Sequence, residues 1–187
     1  FLVKNRTKIQ EQRPETEMIG WSRQKQMEVS QKLCEVVGFD LKQGRIDETP
    51  IHPFCGGSIG DVRLTTRIDE SDSVESVMST MHEAGHGLYQ QGLPRDYFLE
   101  PLGNAPSAAI HESQSRFIEN QIGRSIPFIK YFSKLTGENY ERCYRGIAGK
   151  KESFLRTESD EVDYNLHVIL RWEMEQDLVS GKLKVKD

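Results

Sequence analysis

Residues 72–92 read DSVESVMSTMHEAGHGLYQQG, and this stretch decides what kind of fold the chain adopts. Val74, Val77, Met78, Met81, Gly85 and Leu88 recur at helical spacing, which lays an apolar stripe along one side of an α-helix. Asp72 with Glu75 has the form of a capping box at the start, and Gly92 and Pro94 stop the helix. The spacing therefore predicts a helix that carries HEAGH, with His82 and His86 one turn apart. Two imidazoles so placed can offer nitrogens to one ion. Glu83, rotated about 100° from His82, stands beside such an ion rather than on it. From there it can take a proton from a water that the ion activates. An exposed or packed pair of helical histidines is the plain alternative, and the motif by itself leaves it open.

A catalytic zinc site takes three protein ligands and keeps one position free. Tyr89 and Gly92 stand where the extended H-E-x-x-H-x-x-G-x-x-H pattern requires glycine and histidine, which excludes that class. The inverted H-x-x-E-H arrangement is absent as well. A downstream glutamate remains, and the candidates are Glu100, Glu112 and Glu119. Glu100 adjoins Pro101 in a loop, whereas Glu112 and Glu119 share one face of a helix expected over 108–121. Around Glu112 the stretch IHESQSRFIEN (110–120) is dense in polar groups: His111, Ser113, Gln114 and Ser115. Polar groups crowded beside a ligand are what holds it in orientation. His111 is the alternative ligand, although helical geometry points it about 100° away from Glu112.

Outward from this core the chain reads as mainly α. A helix is expected over 15–37, ending at Gly38, and a long loop over 40–60, where turn residues and prolines collect. DVRLTTRI (61–68) alternates, with Val62, Leu64, Thr66 and Ile68 on one face and charged residues or Thr65 on the other. That is the pattern of a half-buried strand. Further helices are expected over 126–135, 139–154 and 160–179, the last with Val162, Leu166, Ile169 and Leu170 on one face. Trp21 and Trp172 are expected to anchor a core or an interface, and Tyr89 to pack.

A chain of 187 residues fits one domain. The hydrophobic share of 36% and mean hydropathy of −0.63 fit either a modest core or part of a larger protein. Net charge is −4 with both signs interspersed, which argues against a nucleic-acid surface. No apolar run approaches the 18 or so residues of a membrane span. FLVKNRTKIQ is too short and polar for a signal peptide, and a start without methionine reads as a chain cut from something longer. Three widely spaced cysteines without a C-x-x-C pair indicate neither a disulfide framework nor a zinc knuckle. A reduced, cytoplasmic setting is expected.

With HPF at 52–54, DVRLT at 61–65, HEAGH at 82–86 and HESQ at 111–114, in this order, the chain resembles the carboxypeptidase Taq family of zinc metallocarboxypeptidases. KLCEVVGFDLKQGRIDET (32–49) and YNLHVILRWEME (164–175) extend the likeness over the whole chain. The resemblance implies a mainly α fold: a helical metallopeptidase core with a small β-sheet near the active-site cleft. It implies removal of single residues from peptide C-termini through a metal-activated water. It assigns zinc ligation to His82, His86 and Glu112, with Co2+ or another divalent ion as the alternative metal, and the general base to Glu83. His52, Asp61, Arg63 and Thr65 become cleft candidates: His52 and Arg63 for substrate, Asp61 with His111 and Gln114 for orienting other groups. Asp61 and Arg63 could equally form a structural ion pair.

LRTESD (155–160) matches the family's I-R-x-x-A-D motif, with leucine and Ser159 as departures. Its Arg156 is thereby a candidate for pairing with the terminal carboxylate of the substrate. The family's last motif, G-x-x-Q-D-x-H-W, does not appear. The expected domain is therefore a single segment, 1–187, of the catalytic domain, lacking the N-terminal part and C-terminal end of the family fold. Expected partners are peptides with a free C-terminus and a second copy in a homodimer, without nucleic acid or membrane. The alternatives are a non-catalytic metal-binding or dimerising fragment, and a zinc aminopeptidase or endopeptidase with the same ligands.

Overall fold

The 72–92 stretch is helical throughout its predicted length. In the computed structural model, which describes residues 2–186, helix α3 (Ser73–Gln91) begins at Asp72, whose carboxylate accepts from the Val74 amide, and ends at Gly92. Glu75 in its first turn pairs with Arg67. Val74, Val77, Met78, Met81 and Ala84 are all buried.

Three neighbours enclose that helix. Helix α2 (Arg23–Val37) runs from a Ser22 cap to Gly38, whose φ of 99° is a left-handed conformation suited to glycine. Strands β1 (Gly44–Glu48), β2 (Cys55–Ser58) and β3 (Asp61–Thr66) form a sheet in the order β1-β3-β2. β1 pairs parallel to β3 with Ile46 opposite Leu64, and β2 pairs antiparallel with Gly56 opposite Arg63. Val62 and Leu64 point inward and form one cluster with Cys34, Phe39, Ile46 and Ala84. Each large apolar side chain there contributes about 1.5–3 kcal/mol by leaving water. The hydroxyl of Thr80 on α3 meets those of Ser30 on α2 (2.9 Å) and Thr66 on β3 (3.2 Å), so these three buried hydroxyls are paired.

Beyond α3 come α4 (Ala108–Arg116), a π-helical turn (Phe117–Ile122), α5 (Ile126–Thr136) and α6 (Tyr140–Ala148). Phe132 of α5 is fully buried, 5.8 Å between ring centroids from Trp21. The Trp21 indole donates to Glu138 at 2.7 Å, which makes it the expected core anchor.

The chain divides into two compact units, Met18–Ile147 and Phe1–Glu17 with Ala148–Asp187. In the second unit, α1 (Leu2–Glu11) lies against the start of α7 (Glu161–Val179). Arg6 forms a bidentate pair with Asp163, both contacts 2.6 Å, while Gln10 and Arg13 reach Asp160 at 3.0 and 2.9 Å. Asp160 in turn caps α7 by accepting from the amides of Val162 and Asp163.

Four expectations are corrected. Helix α2 starts at Arg23, not Glu15, because the preceding chain spends its backbone groups on α3: the Ser73 amide donates to Ile19 and the Trp21 amide to Ser73 Oγ. The 40–60 loop contains β1 and β2. Helix α6 ends at Ala148 rather than Phe154, where the guanidinium of Arg13 takes the carbonyls of Ala148 and Gly149. Along α7 Val162 is buried, whereas Ile169, Leu170 and Trp172 are exposed, since the contacts from Arg6, Gln10 and Arg13 fall at its N-terminal end. Among the described residues no helix is long and apolar enough to cross a membrane.

Candidate metal centre

The site begins with a missing side chain. A Cβ on Gly85 would lie 2.6 Å from Cα of Ser115 and 2.7 Å from the carbonyl oxygen of Gln114, so only glycine lets α4 lie this close to α3. That approach brings Glu112, one turn before Ser115, up to both histidines. Its Oε2 is 3.2 Å from Nε2 of His86 and 3.6 Å from Nε2 of His82. Ser115 Oγ donates to the same carboxylate at 3.1 Å. These three side chains are the cluster of His, Cys, Asp or Glu among the described residues able to share one ion, their donor atoms all within 4.8 Å of one another.

The residues fit a metal. Ligand bonds of about 2.0–2.1 Å at tetrahedral angles place donor atoms about 3.3 Å apart, close to the two distances found. Two imidazoles and a carboxylate are donors that suit zinc better than calcium or magnesium. Beside them Glu83 is 5% exposed, and its Oε2 is buried without a hydrogen-bond partner. Such an orphaned oxygen in native structure calls for a functional reason.

The far side of each imidazole is held differently. Nδ1 of His82 lies 2.8 Å from Oε2 of Glu119; an ionised carboxylate only accepts, so Nδ1 is the donor. Nδ1 of His86 lies 2.6 Å from Nδ1 of His111, whose Nε2 is 3.4 Å from Oε1 of Gln90. Placing the shared proton on His86 leaves His111 free to donate onward to Gln90. In both histidines Nε2 then faces Glu112.

Charge follows this geometry. Burial disfavours a charged His82, but the carboxylates of Glu112 and Glu119 outweigh it and raise its pKa to about 9. Burial likewise opposes ionisation of Glu112, yet bonding to the two histidines holds it well below the usual carboxylate range. Glu119 stays low against its own burial through His82, Arg116 and Arg124. Glu83 goes the other way: burial raises it, and the neighbouring histidines offset only part of the rise.

The structure thus brings together His82, Glu83, His86, His111 and Glu112. Most of the other sequence candidates make contacts of their own. Asp61 and Arg63 pair with one another at 2.9 Å on the exposed face of β3. Thr65 Oγ1 accepts from the Phe54 amide and ties the HPF segment to the sheet, while His52 in that segment is exposed. Gln114 is exposed and donates to Ser113. Arg156 belongs to the other compact unit, where it bonds the Tyr164 hydroxyl and lies 5.1 Å from that ring. Of the glutamates weighed as third ligand, Glu100 is exposed just before the 3-10 turn Pro101–Gly103 and Glu119 meets Nδ1 rather than Nε2. Ser115, one of the polar groups expected to steady Glu112, does so; the sequence reading missed the supporting roles of Glu119 and Gln90, and the two-turn spacing from Glu112 to Glu119 was the available signal.

A mainly helical chain whose H-E-x-x-H helix is met by a glutamate from the next helix, beside a small sheet, has the build of a metallopeptidase. Comparison with known proteins supplies the family: the sequence model of the carboxypeptidase Taq (M32) metallopeptidases matches residues 2–187, and the chain belongs to that family. The thermostable carboxypeptidase 1 of Thermus thermophilus is 40% identical over 83% of this chain and 32% of its own length. Carboxypeptidase 1 of Bacillus subtilis is 37% identical over 94% of this chain and 37% of its own. The crystal structure of the M32 carboxypeptidase from Deinococcus radiodurans matches with a TM-score of 0.89 at 39% identity, over all of this chain and 40% of that one. The chain spans about a third of the length of the curated relatives it matches.

Proposed function

We propose that this chain is the metal-site segment of a zinc-dependent carboxypeptidase that releases single residues from peptides with a free C-terminus. The observation that carries the reading is the convergence of Nε2 of His82, Nε2 of His86 and Oε2 of Glu112. These three hold the ion. When bound, zinc supplies a Lewis acid for the scissile carbonyl and lowers the pKa of water toward neutrality. Glu83 is the general base, taking a proton from the attacking water at its unpartnered Oε2. Its raised pKa suits it to keep that proton and pass it to the leaving amine. Arg156 receives the terminal carboxylate of the peptide through its planar guanidinium. His52 and Arg63 contact substrate, with Asp61 orienting Arg63 at 2.9 Å; His111 orients His86, and Gln114 lines the same helix.

The test measures zinc content and hydrolysis of an N-blocked dipeptide for the wild type, Glu83→Gln and Glu112→Ala. Glu83→Gln is expected to keep zinc and lose about 10²–10⁴-fold in rate, the usual contribution of a general base. Glu112→Ala is expected to lose most of both. Zinc bound by the wild type without turnover selects a non-catalytic metal-binding segment, and cleavage of C-terminally amidated peptides selects an aminopeptidase or endopeptidase.

A further inference from the structure

We propose that Glu119 is a positioning residue of this centre: pinned by Arg116 and Arg124, it fixes the ring and tautomer of His82 and so aims that ligand's Nε2. The proposal rests on the reading of the centre given above. Glu119 is 8% exposed, and a carboxylate so buried is held only where it is paired. Its Oε2 is shared between Nδ1 of His82 and Nη1 of Arg116, both at 2.8 Å, and its Oε1 lies 3.6 Å from Nη2 of Arg124. Arg124 is itself fixed, donating to the Ile147 carbonyl at 2.7 Å and to Asn120 Oδ1 at 3.3 Å. The chain of contacts runs from the end of α6 through Arg124 and Glu119 to the imidazole.

The backbone changes form between Glu112 and Glu119. On an unbroken α-helix Glu119 would point within about 20° of Glu112. The turn at 117–122 is π-helical instead, a form that recurs at functional sites. The two carboxylates meet opposite nitrogens of one imidazole, Glu112 from α4 at Nε2 and Glu119 from the π turn at Nδ1. Arg116 donates to the same Glu119 oxygen that meets Nδ1, and Arg124 flanks the other oxygen, so the carboxylate is fixed against the Nδ1 side of the ring and Nε2 is the nitrogen left for ligation.

The experiment measures zinc dissociation constants by chelator competition for the wild type, Glu119→Ala and Glu119→Gln. It adds ¹⁵N-edited NMR of the His82 Nδ1 proton in the zinc-loaded chain. Glu119→Ala is expected to weaken zinc about 10–100-fold and to expose that proton to rapid exchange with water. Because Glu119→Ala strips two arginines of a buried counter-charge, Glu119→Gln is the companion variant. It keeps an acceptor oxygen and is expected to lose less than about tenfold, with the proton still protected. Dissociation constants within twofold of wild type for both variants, with the proton unaffected in Glu119→Ala, overturn the role of Glu119 while leaving the metal centre standing. A wild-type chain that takes up no zinc overturns both.

Discussion

Helices α3 and α7 are each 19 residues long, and each starts at an aspartate that caps it. Their surroundings differ completely. α3 is enclosed by α2, the sheet and α4, with Met81 and Ala84 fully buried. α7 buries Val162 and Asp163 near its start and then leaves Leu170 at 54% and Trp172 at 60% exposure. Capping and periodicity say where a helix runs; its neighbours decide which faces are covered. A site whose donor atoms must hold to within about half an ångström needs the enclosed kind, and the histidines are on α3.

The strongest way to break this contrast is Met81→Ala. At 0% exposure its loss should leave a cavity and cost about 2–5 kcal/mol, read from denaturant midpoints. A loss below 1 kcal/mol would mean that α3 is not tightly held.

Zinc affinity against pH comes next. His82, raised to about 9, carries its proton at neutral pH in the metal-free chain, and ligation requires the neutral form. The sign is that of a raised pKa: the protonated arrangement is favoured below that value and lost above it, so zinc competes with one proton. From pH 8 to pH 6 affinity should fall about a hundredfold, about 2.7 kcal/mol at 1.36 kcal/mol per unit. A profile flat over that range excludes His82 as a ligand.

A smaller effect concerns the start of α7. Burial opposes the charge of Asp160, but the bonds from Gln10 and the Lys151 amide, with Arg13 close by, hold its carboxyl below the usual range. A depressed pKa contributes stability above the unfolded value, near 4, and loses it as pH falls through the folded one. The contact of α1 with α7 should therefore loosen under acid below about pH 4, and Asp160→Ala should cost about 0.5–2 kcal/mol at pH 7. An acid transition identical in wild type and variant counts against this. Smallest of all, Leu170→Ala should change stability by less than about 0.5 kcal/mol, and a loss comparable to that of Met81→Ala would erase the distinction between the two helices.

How much of this was legible follows the same division. The 72–92 helix, its cap and its stop are written locally, and the structure repeats them almost residue for residue. Gly85, small and set between the two histidines, is where the backbone of α4 comes close to α3. β1 was hidden because Ile46 is its one buried residue and its partner strand lies 18 residues downstream, as the pairing of Ile46 with Leu64 shows. The start of α2 was misjudged because helix formers at 15–22 are overruled by hydrogen bonds to Ser73, far along the chain. The alternation in DVRLTT was read correctly for Val62 and Leu64, but Thr65 is buried on the face expected outside. No pattern in FIENQI announces a π turn, and Glu119 therefore read as a second candidate ligand on the face of Glu112 rather than as the partner of Nδ1.

One further property follows from the thiols. Burial pushes Cys34 and Cys55 up to about 12, Cys55 with help from the charge on Glu83, and burial raises Cys143 as well. Only the thiolate attacks an alkylating reagent, so in the native protein at neutral pH all three should react very slowly. The three sit on α2, β2 and α6, within the unit that carries the metal centre. Cys34 and Cys143 are fully buried, so their rate of labelling is a built-in clock for the opening of that unit.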